Sequence, residues 1–268
     1  MKRKESLKDL ITNAFLYTKS LIGVFCSSNK NNSDITSKME LIFEDNFESF
    51  NKDIWRIGQP WGKFHPNYTY QYYGDMSVFV KNDCLVLNQI HSPKKLTEFE
   101  NGKIYDIPYS VGLVTSYESY GYGFYEFEIE PPNGIGLWPA VWLSCADSWP
   151  PEIDIFEGYS DRKANYGFKL QSNLHFNLGD KKENSGARNH PVNTRHRKLK
   201  LGCWWSSDFI KIYYNGHLVR QITSDYILKW FRDKKMIVVL NNAIRPEYFK
   251  QIESQISEFK IHSVKIWK

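Results

Sequence analysis

FYEFEIE, residues 124–130, sets Tyr125, Phe127 and Ile129 against Glu126, Glu128 and Glu130. Side chains along an extended strand alternate between its two faces, so this run buries one face and wets the other. Working outward, the same grammar recurs. FIKIYYNGHLVRQI (209–222) holds Asn215 and Gly216 between two apolar runs, a hairpin signal because both turn positions need positive φ. SVFVKN (77–82) and CLVLNQI (84–90) close a second hairpin across Asn82 and Asp83. Many short strands broken at close spacing by Asn, Gly, Asp and Pro predict an all-β sandwich of two packed antiparallel sheets, not a parallel α/β core. A short helix is expected around Asp225 to Asp233.

The 268 residues fit one sandwich domain. Aromatic residues make up 16% of the chain, which favours strands and an aromatic-lined surface. The formal charge of +5 is mild, and its one concentrated stretch is Arg195, His196, Arg197, Lys198 and Lys200. That is too little to argue for nucleic acid; a solvated basic face is the simpler reading. Cys26, Cys84, Cys145 and Cys203 lie far apart, without C-x-x-C or zinc spacing, and pair or stay reduced with equal ease.

Residues 1–38 form a separate N-terminal part, with the β domain over 39–268 and its first strand near Glu40. Leu7, Leu10, Ile11, Ala14, Phe15 and Ile22 follow helical spacing, which predicts an amphipathic helix packed on the domain or on a partner. The competing reading is an atypical export or anchor segment: MKRK is a positive start, but Glu5, Asp9 and Lys19 interrupt the apolar run. No stretch is long and apolar enough to span a membrane. SSNKNNSD (27–34) reads as a polar linker.

WPPEIDIFEGY (149–159) carries three carboxylates, Glu152, Asp154 and Glu157, among bulky apolar residues. Glu152 and Asp154 share one strand face, Ile153 and Ile155 the other. Glu157 breaks that parity. Either the strand ends at Phe156 and leaves Glu157 in solvent, or one extra residue forms a β-bulge that returns it to the acid face and avoids burying a charge in the core. In the bulged case two glutamates lean together over Asp154, as in retaining glycosidases, whose two carboxyls stand about 5 to 5.5 Å apart. Their repulsion raises one pKa, so one stays protonated while the other is ionised.

EIDIFE resembles the E-x-D-x-x-E signature of glycoside hydrolase family 16 in its bulged form, the form of laminarinases, agarases, carrageenases and porphyranases. LIFEDNFESFNKDIWRIG resembles the family's first strand, the W-P-A-x-W at 138–142 its region before the acids, and WWSSDFIKIYYNGHLVR its late hairpin, so the likeness runs from Leu41 to Trp267. The resemblance implies a β-jelly-roll sandwich with a concave glycan cleft. It implies Glu152 as nucleophile, Asp154 as its hydrogen-bonding assistant and Glu157 as general acid/base. It also implies Trp138, Trp149 and His175 beside the cleaved bond and Asn241 in the cleft, although the glycines usual after that asparagine are absent. Trp142 is assigned to the core, one face away from Trp138. Where the family commonly has a calcium-binding aspartate in its last strand, this chain has His262, and imidazole does not supply the oxygen that calcium needs. No metal or other cofactor is expected.

The function implied is a retaining endo-acting β-glycanase on β-1,3-glucan or an algal galactan. A glycan-binding module without turnover is one rival, against which all three acids are present. A carboxylate metal site is another, and transglycosylation is a third outcome of the same glycosyl-enzyme. The expected partner is a polysaccharide, the expected assembly a monomer, and the substrate class points outside the cell or to the periplasm.

Overall fold

In the computed structural model, residues 6–25, 32–98, 102–132, 134–159, 169–178, 181–190, 198–249 and 257–268 are described. The first strands are β1 (Leu41–Asp45), β2 (Trp55–Ile57), β3 (Gln71–Tyr73), β4 (Val78–Val80), β5 (Leu85–Leu87), β6 (Gln89–Thr97) and β7 (Ile104–Val111). The middle of the chain gives β8 (Leu113–Ser116), β9 (Gly123–Glu130), β10 (Leu137–Ser144), β11 (Glu152–Tyr159), β12 (Lys169–Leu178), β13 (Lys181–Asn184) and β14 (Arg188–His190). The last strands are β15 (Leu199–Trp205), β16 (Ile210–Tyr214), β17 (His217–Ile222), β18 (Ile237–Ile244) and β19 (Phe259–Trp267). The helices are α1 (Leu7–Phe25), α2 (Ser33–Thr36) and α3 (Asp225–Leu228).

Two antiparallel sheets face each other. One runs β17-β16-β15-β9-β19-β5-β4 with β1 on β19; the other runs β13-β12-β11-β10-β18-β8-β2 with β14 on β12. The opening alternation is borne out in β9, where Tyr125, Phe127 and Ile129 are fully buried in the core. The acids on its other face meet cations of flanking strands: Lys200 at Glu126, Lys198 at Glu128, and Lys260 and His262 at Glu130. Both hairpins form, with φ of 49° and 75° at Asn215 and Gly216 and 53° and 50° at Asn82 and Asp83. The Asp225–Asp233 expectation yields only the four residues of α3.

A third, small sheet, β3-β7-β6, lies on the outer face of the second sheet. Between them Tyr73, Val111, Leu113, Ile237, Val239 and Ile244 form a second apolar cluster. This cover occupies the β18–β8 side of that face and leaves β10, β11 and β12 to carry polar side chains.

The N-terminal helix forms, but its orientation corrects the sequence reading. Leu7, Ile11 and Phe15 of the expected packing face are exposed, at 58%, 63% and 65%, while Asp9, Asn13 and Leu16 are buried. The reason is what α1 rests on. It covers β17, the end strand of its sheet, whose outward N–H and C=O groups need hydrogen bonds more than apolar cover. Asp9 accepts from the Thr223 amide and hydroxyl, and the Asn13 side chain exchanges a pair of bonds with the Gln221 backbone (2.7 and 2.9 Å). The expected linker is in part α2, and Arg195, His196, Arg197 and Cys26 lie outside the described residues. Cys84, Cys145 and Cys203 are buried free thiols. Among the described residues, no helix is long and apolar enough to cross a membrane.

Candidate active site

Of the two outcomes that strand parity left open at Glu157, the ladder around β11 shows the bulge. Asp154 pairs with Asn173 and Glu157 with Gln171, so two residues of β11 stand opposite one of β12. On the other side Phe156 pairs with Val141 and Asp154 with Trp142. Ile155 therefore has no register partner on either neighbour. Ile153, Ile155 and Phe156 all point into the core with no exposed surface, and the extra residue returns Glu157 to the face of Glu152 and Asp154.

The two outer acids each accept from an indole, and Asp154 between them faces an imidazole. Trp149 Nε1 donates to Glu152 Oε2 at 2.8 Å, and Trp138 Nε1 and Gln171 Nε2 donate to the two oxygens of Glu157 at 3.0 and 3.2 Å. His175 Nε2 lies 3.2 Å from Asp154 Oδ2 and 3.6 Å from Glu152 Oε1. Its orientation is set from β12: Asn173 Oδ1 accepts from the Leu174 amide and Ser185, which turns the Asn173 NH₂ toward His175 Nε2 at 3.2 Å. Burial, and then the charge of Asp154, push the Glu152 carboxyl well above its ordinary value. Burial and the charge of Glu157 do the same to Asp154, against the pull of its hydrogen bond with Glu152 and of Arg220. Each of the two carboxyls is thus pushed toward its neutral form.

Support comes from the opposite sheet, through residues that the sequence reading missed. Tyr214, on β16, sends its hydroxyl across the core to the Ile155 carbonyl at 2.8 Å, the carbonyl of the bulged residue. Arg220, on β17, is fully buried and donates to the Ser172 carbonyl at 2.6 Å, to Ser185 Oγ at 2.9 Å and to the Gly186 carbonyl at 3.1 Å. It thereby ties β12 opposite the bulge. His190 accepts or donates at Ser172 Oγ (2.8 Å), and burial together with Arg220 and Arg188 lowers its pKa to about 3, so the imidazole is neutral. A signal for Tyr214 existed: it shares parity with Ile210 and Ile212, so its polar tip had to find a partner inside.

Of the sequence-selected residues, Trp138, Trp149 and His175 gather around the acids, and Trp149 and His175 rings lie 5.7 Å apart. Asn241 sits one strand further out, where it accepts from Trp142 Nε1 at 2.7 Å and donates to the Trp138 carbonyl at 3.2 Å. Trp142 is a correction. Four residues along a strand return to the same face, so it lies on the face of Trp138, opposite Asp154, and not in the main core. His262 is engaged by Glu130 at 2.9 Å. Ligand atoms of Glu152, Asp154 and His175 fall within 4.8 Å of one another, close enough to hold a metal ion; sequence spacing gave no hint that a histidine joins the acids.

The profile of glycosyl hydrolases family 16 matches residues 65–243. The endo-1,3-1,4-β-glycanase ExsH of Rhizobium meliloti (strain 1021) is 38% identical over 81 residues, 29% of this chain and 17% of that protein. The chain thus spans under a fifth of the length of that relative. Among solved structures, an endo-acting O-glycanase from the human gut microbiota superimposes with a TM-score of 0.71 at 19% identity, covering 86% of this chain and 91% of the other. The LamA catalytic domain of Zobellia galactanivorans gives 0.68 at 20% identity, covering 85% and 98%. These likenesses bear out the jelly-roll sandwich. With the family profile spanning most of the chain, from the β2–β3 segment through the acid-bearing strand to β18, the protein belongs to glycosyl hydrolase family 16.

Proposed function

We propose that the chain is a retaining endo-glycoside hydrolase acting on a β-linked glucan. The observation that carries this reading is the ladder defect between Asp154 and Glu157, which sets three acids on one face with separate donors for the outer two. Glu152 is the nucleophile. Its Oε attacks the anomeric carbon as the C–O bond to the leaving sugar breaks, and Glu157 gives its proton to the departing oxygen. Glu157, now a carboxylate, takes a proton from water; the water oxygen attacks the same carbon and frees Glu152, with configuration retained. For the first step Glu152 reacts as the carboxylate, a form favoured by the N–H that Trp149 donates to it. Trp138 and Trp149 flank the reacting sugar, with His175 and Asn241 as polar contacts.

NMR of the first-formed anomer tests the mechanism: the β-anomer is expected, and the α-anomer refutes it. Reducing-end release from laminarin, agarose, porphyran and carrageenan in parallel tests the substrate, with laminarin expected to lead. Equal lack of release by wild type and Glu152→Gln, with glycan binding intact in both, would leave a binding module. The Glu152–Asp154–His175 spacing supports a second reading, a metal-dependent site, which loss of activity in excess chelator would favour.

A further inference from the structure

A surface helix of a globular domain ordinarily buries its apolar stripe, and α1 does the reverse. Asp9, Asn13 and Leu16 recur at i, i+4 and i+7 on the face against β17, and all three are buried. On the opposite face Leu7, Ile11, Ala14 and Phe15 recur at i, i+4, i+7 and i+8 and form one continuous exposed stripe. Its three large side chains are between 58% and 65% exposed. The helix cannot roll to hide them. Asp9 and Asn13 hold the Thr223 and Gln221 backbone through bonds of 2.7 to 3.1 Å, and turning the stripe inward would strip the β17 edge of those partners.

The charges beside the stripe are cationic. Lys8 is exposed at its border. Lys2, Arg3 and Lys4 lie outside the described residues, but at most about 17 Å of extended chain ties them to Leu7. The acids among the first eighteen residues are Glu5 and Asp9, and Asp9 is engaged by Thr223. An aliphatic and aromatic stripe along a helix, edged by Lys and Arg, suits a lipid surface: the apolar side chains enter among the headgroups while the cations meet anionic ones. Other occupants fit less well. A sugar needs polar groups fixed beside an aromatic face, and the four stripe residues carry none. A second copy of the chain would have to build its interface on three large side chains, short of the roughly 800 Å² that each partner of a stable dimer contributes.

We propose that the outer face of α1 docks the protein peripherally on an anionic lipid bilayer, with Leu7, Ile11 and Phe15 below the headgroups and Lys8 among them. The acids of β11 have no part in this, so the test reads lipid binding and not glycan cleavage. The 268-residue chain is floated with vesicles of phosphatidylcholine, alone or mixed with phosphatidylglycerol. Wild type is expected to float with the anionic vesicles and to bind the neutral ones at least about tenfold less. Replacing Ile11→Gln and Phe15→Gln together puts a good helix former at two exposed positions and is expected to lower the partition coefficient at least about tenfold. Lys8→Gln is expected to lower it about fivefold, on anionic vesicles only. Wild-type melting temperature and circular dichroism in both variants separate lost docking from lost folding; if the Gln pair loosens α1, Lys8→Gln alone decides. Wild type that does not float, or floats no better than the variants, overturns the proposal. So does a dimer in sedimentation velocity that depends on Ile11 and Phe15 without vesicle binding, which would give the stripe to a second copy.

Discussion

Removing one oxygen, the Tyr214 hydroxyl, is expected to slow the reaction more than it weakens the fold. Tyr214 is 1% exposed and its hydroxyl is 2.8 Å from the Ile155 carbonyl, which belongs to the residue without a register partner. Tyr214→Phe keeps the ring and its packing but leaves that carbonyl without its bond in an apolar core, at about 1–3 kcal/mol. The strain is relieved by shifting the bulge, and the bulge is what turns Glu157 toward Asp154. If that free energy appears in the chemical step, kcat falls about 5- to 150-fold with KM little changed. If it appears only in stability, the melting temperature falls by roughly 2–4 °C per kcal/mol and kcat holds. Tyr125→Phe is the matched control: its hydroxyl is also buried and donates to a backbone carbonyl, that of Gly121, far from the acids along the chain. Steady-state kinetics and calorimetry on both variants decide the matter. A Tyr214→Phe protein with wild-type kcat and a thermal loss equal to that of Tyr125→Phe would refute the reasoning.

Three further outcomes are expected. Because burial raises the carboxyl pKa of Glu152 and Asp154, their neutral forms are the ones the fold favours; stability is full below the ordinary carboxylate range near pH 4 and is lost as pH rises through the raised values. Glu152→Gln and Asp154→Asn should therefore melt above wild type at pH 8, with the gain shrinking toward pH 4; a gain that is constant or grows on acidification would contradict this. Asp9→Ala removes the partner of the Thr223 amide and hydroxyl, so α1 should loosen and trypsin should cut after Lys8 faster, while glycan cleavage is unaffected. Arg220→Lys should not replace Arg220, since an ammonium cannot span Ser172, Ser185 and Gly186 at once; a melting temperature equal to wild type would count against the tie across β12.

Much of the site was legible because strand parity is a local property. Period-two alternation put Ile153 and Ile155 on the face opposite Glu152 and Asp154, and the odd step from Asp154 to Glu157 left either a strand end or a bulge, between which the β11–β12 ladder decides for the bulge. Turn chemistry was local in the same sense, so Asn215-Gly216 and Asn82-Asp83 carried their hairpins. Trp142 was misjudged against that same parity rule, which places it with Trp138.

What the sequence could not determine is which strand lies beside or behind which. His175 reaches the acids because β12 pairs with β11, and Tyr214 and Arg220 reach the bulge and its facing strand because the two sheets pack face to face; these partners are 21 to 59 residues apart in the chain. The N-terminal helix shows the same division. Its existence followed from spacing, but which face it buries was decided by β17, whose open edge binds Asp9 and Asn13 and leaves Leu7, Ile11 and Phe15 outside. Local pattern fixes the two sides of each element, whereas the chemistry of the neighbour, apolar core or unpaired backbone, selects the side that is buried.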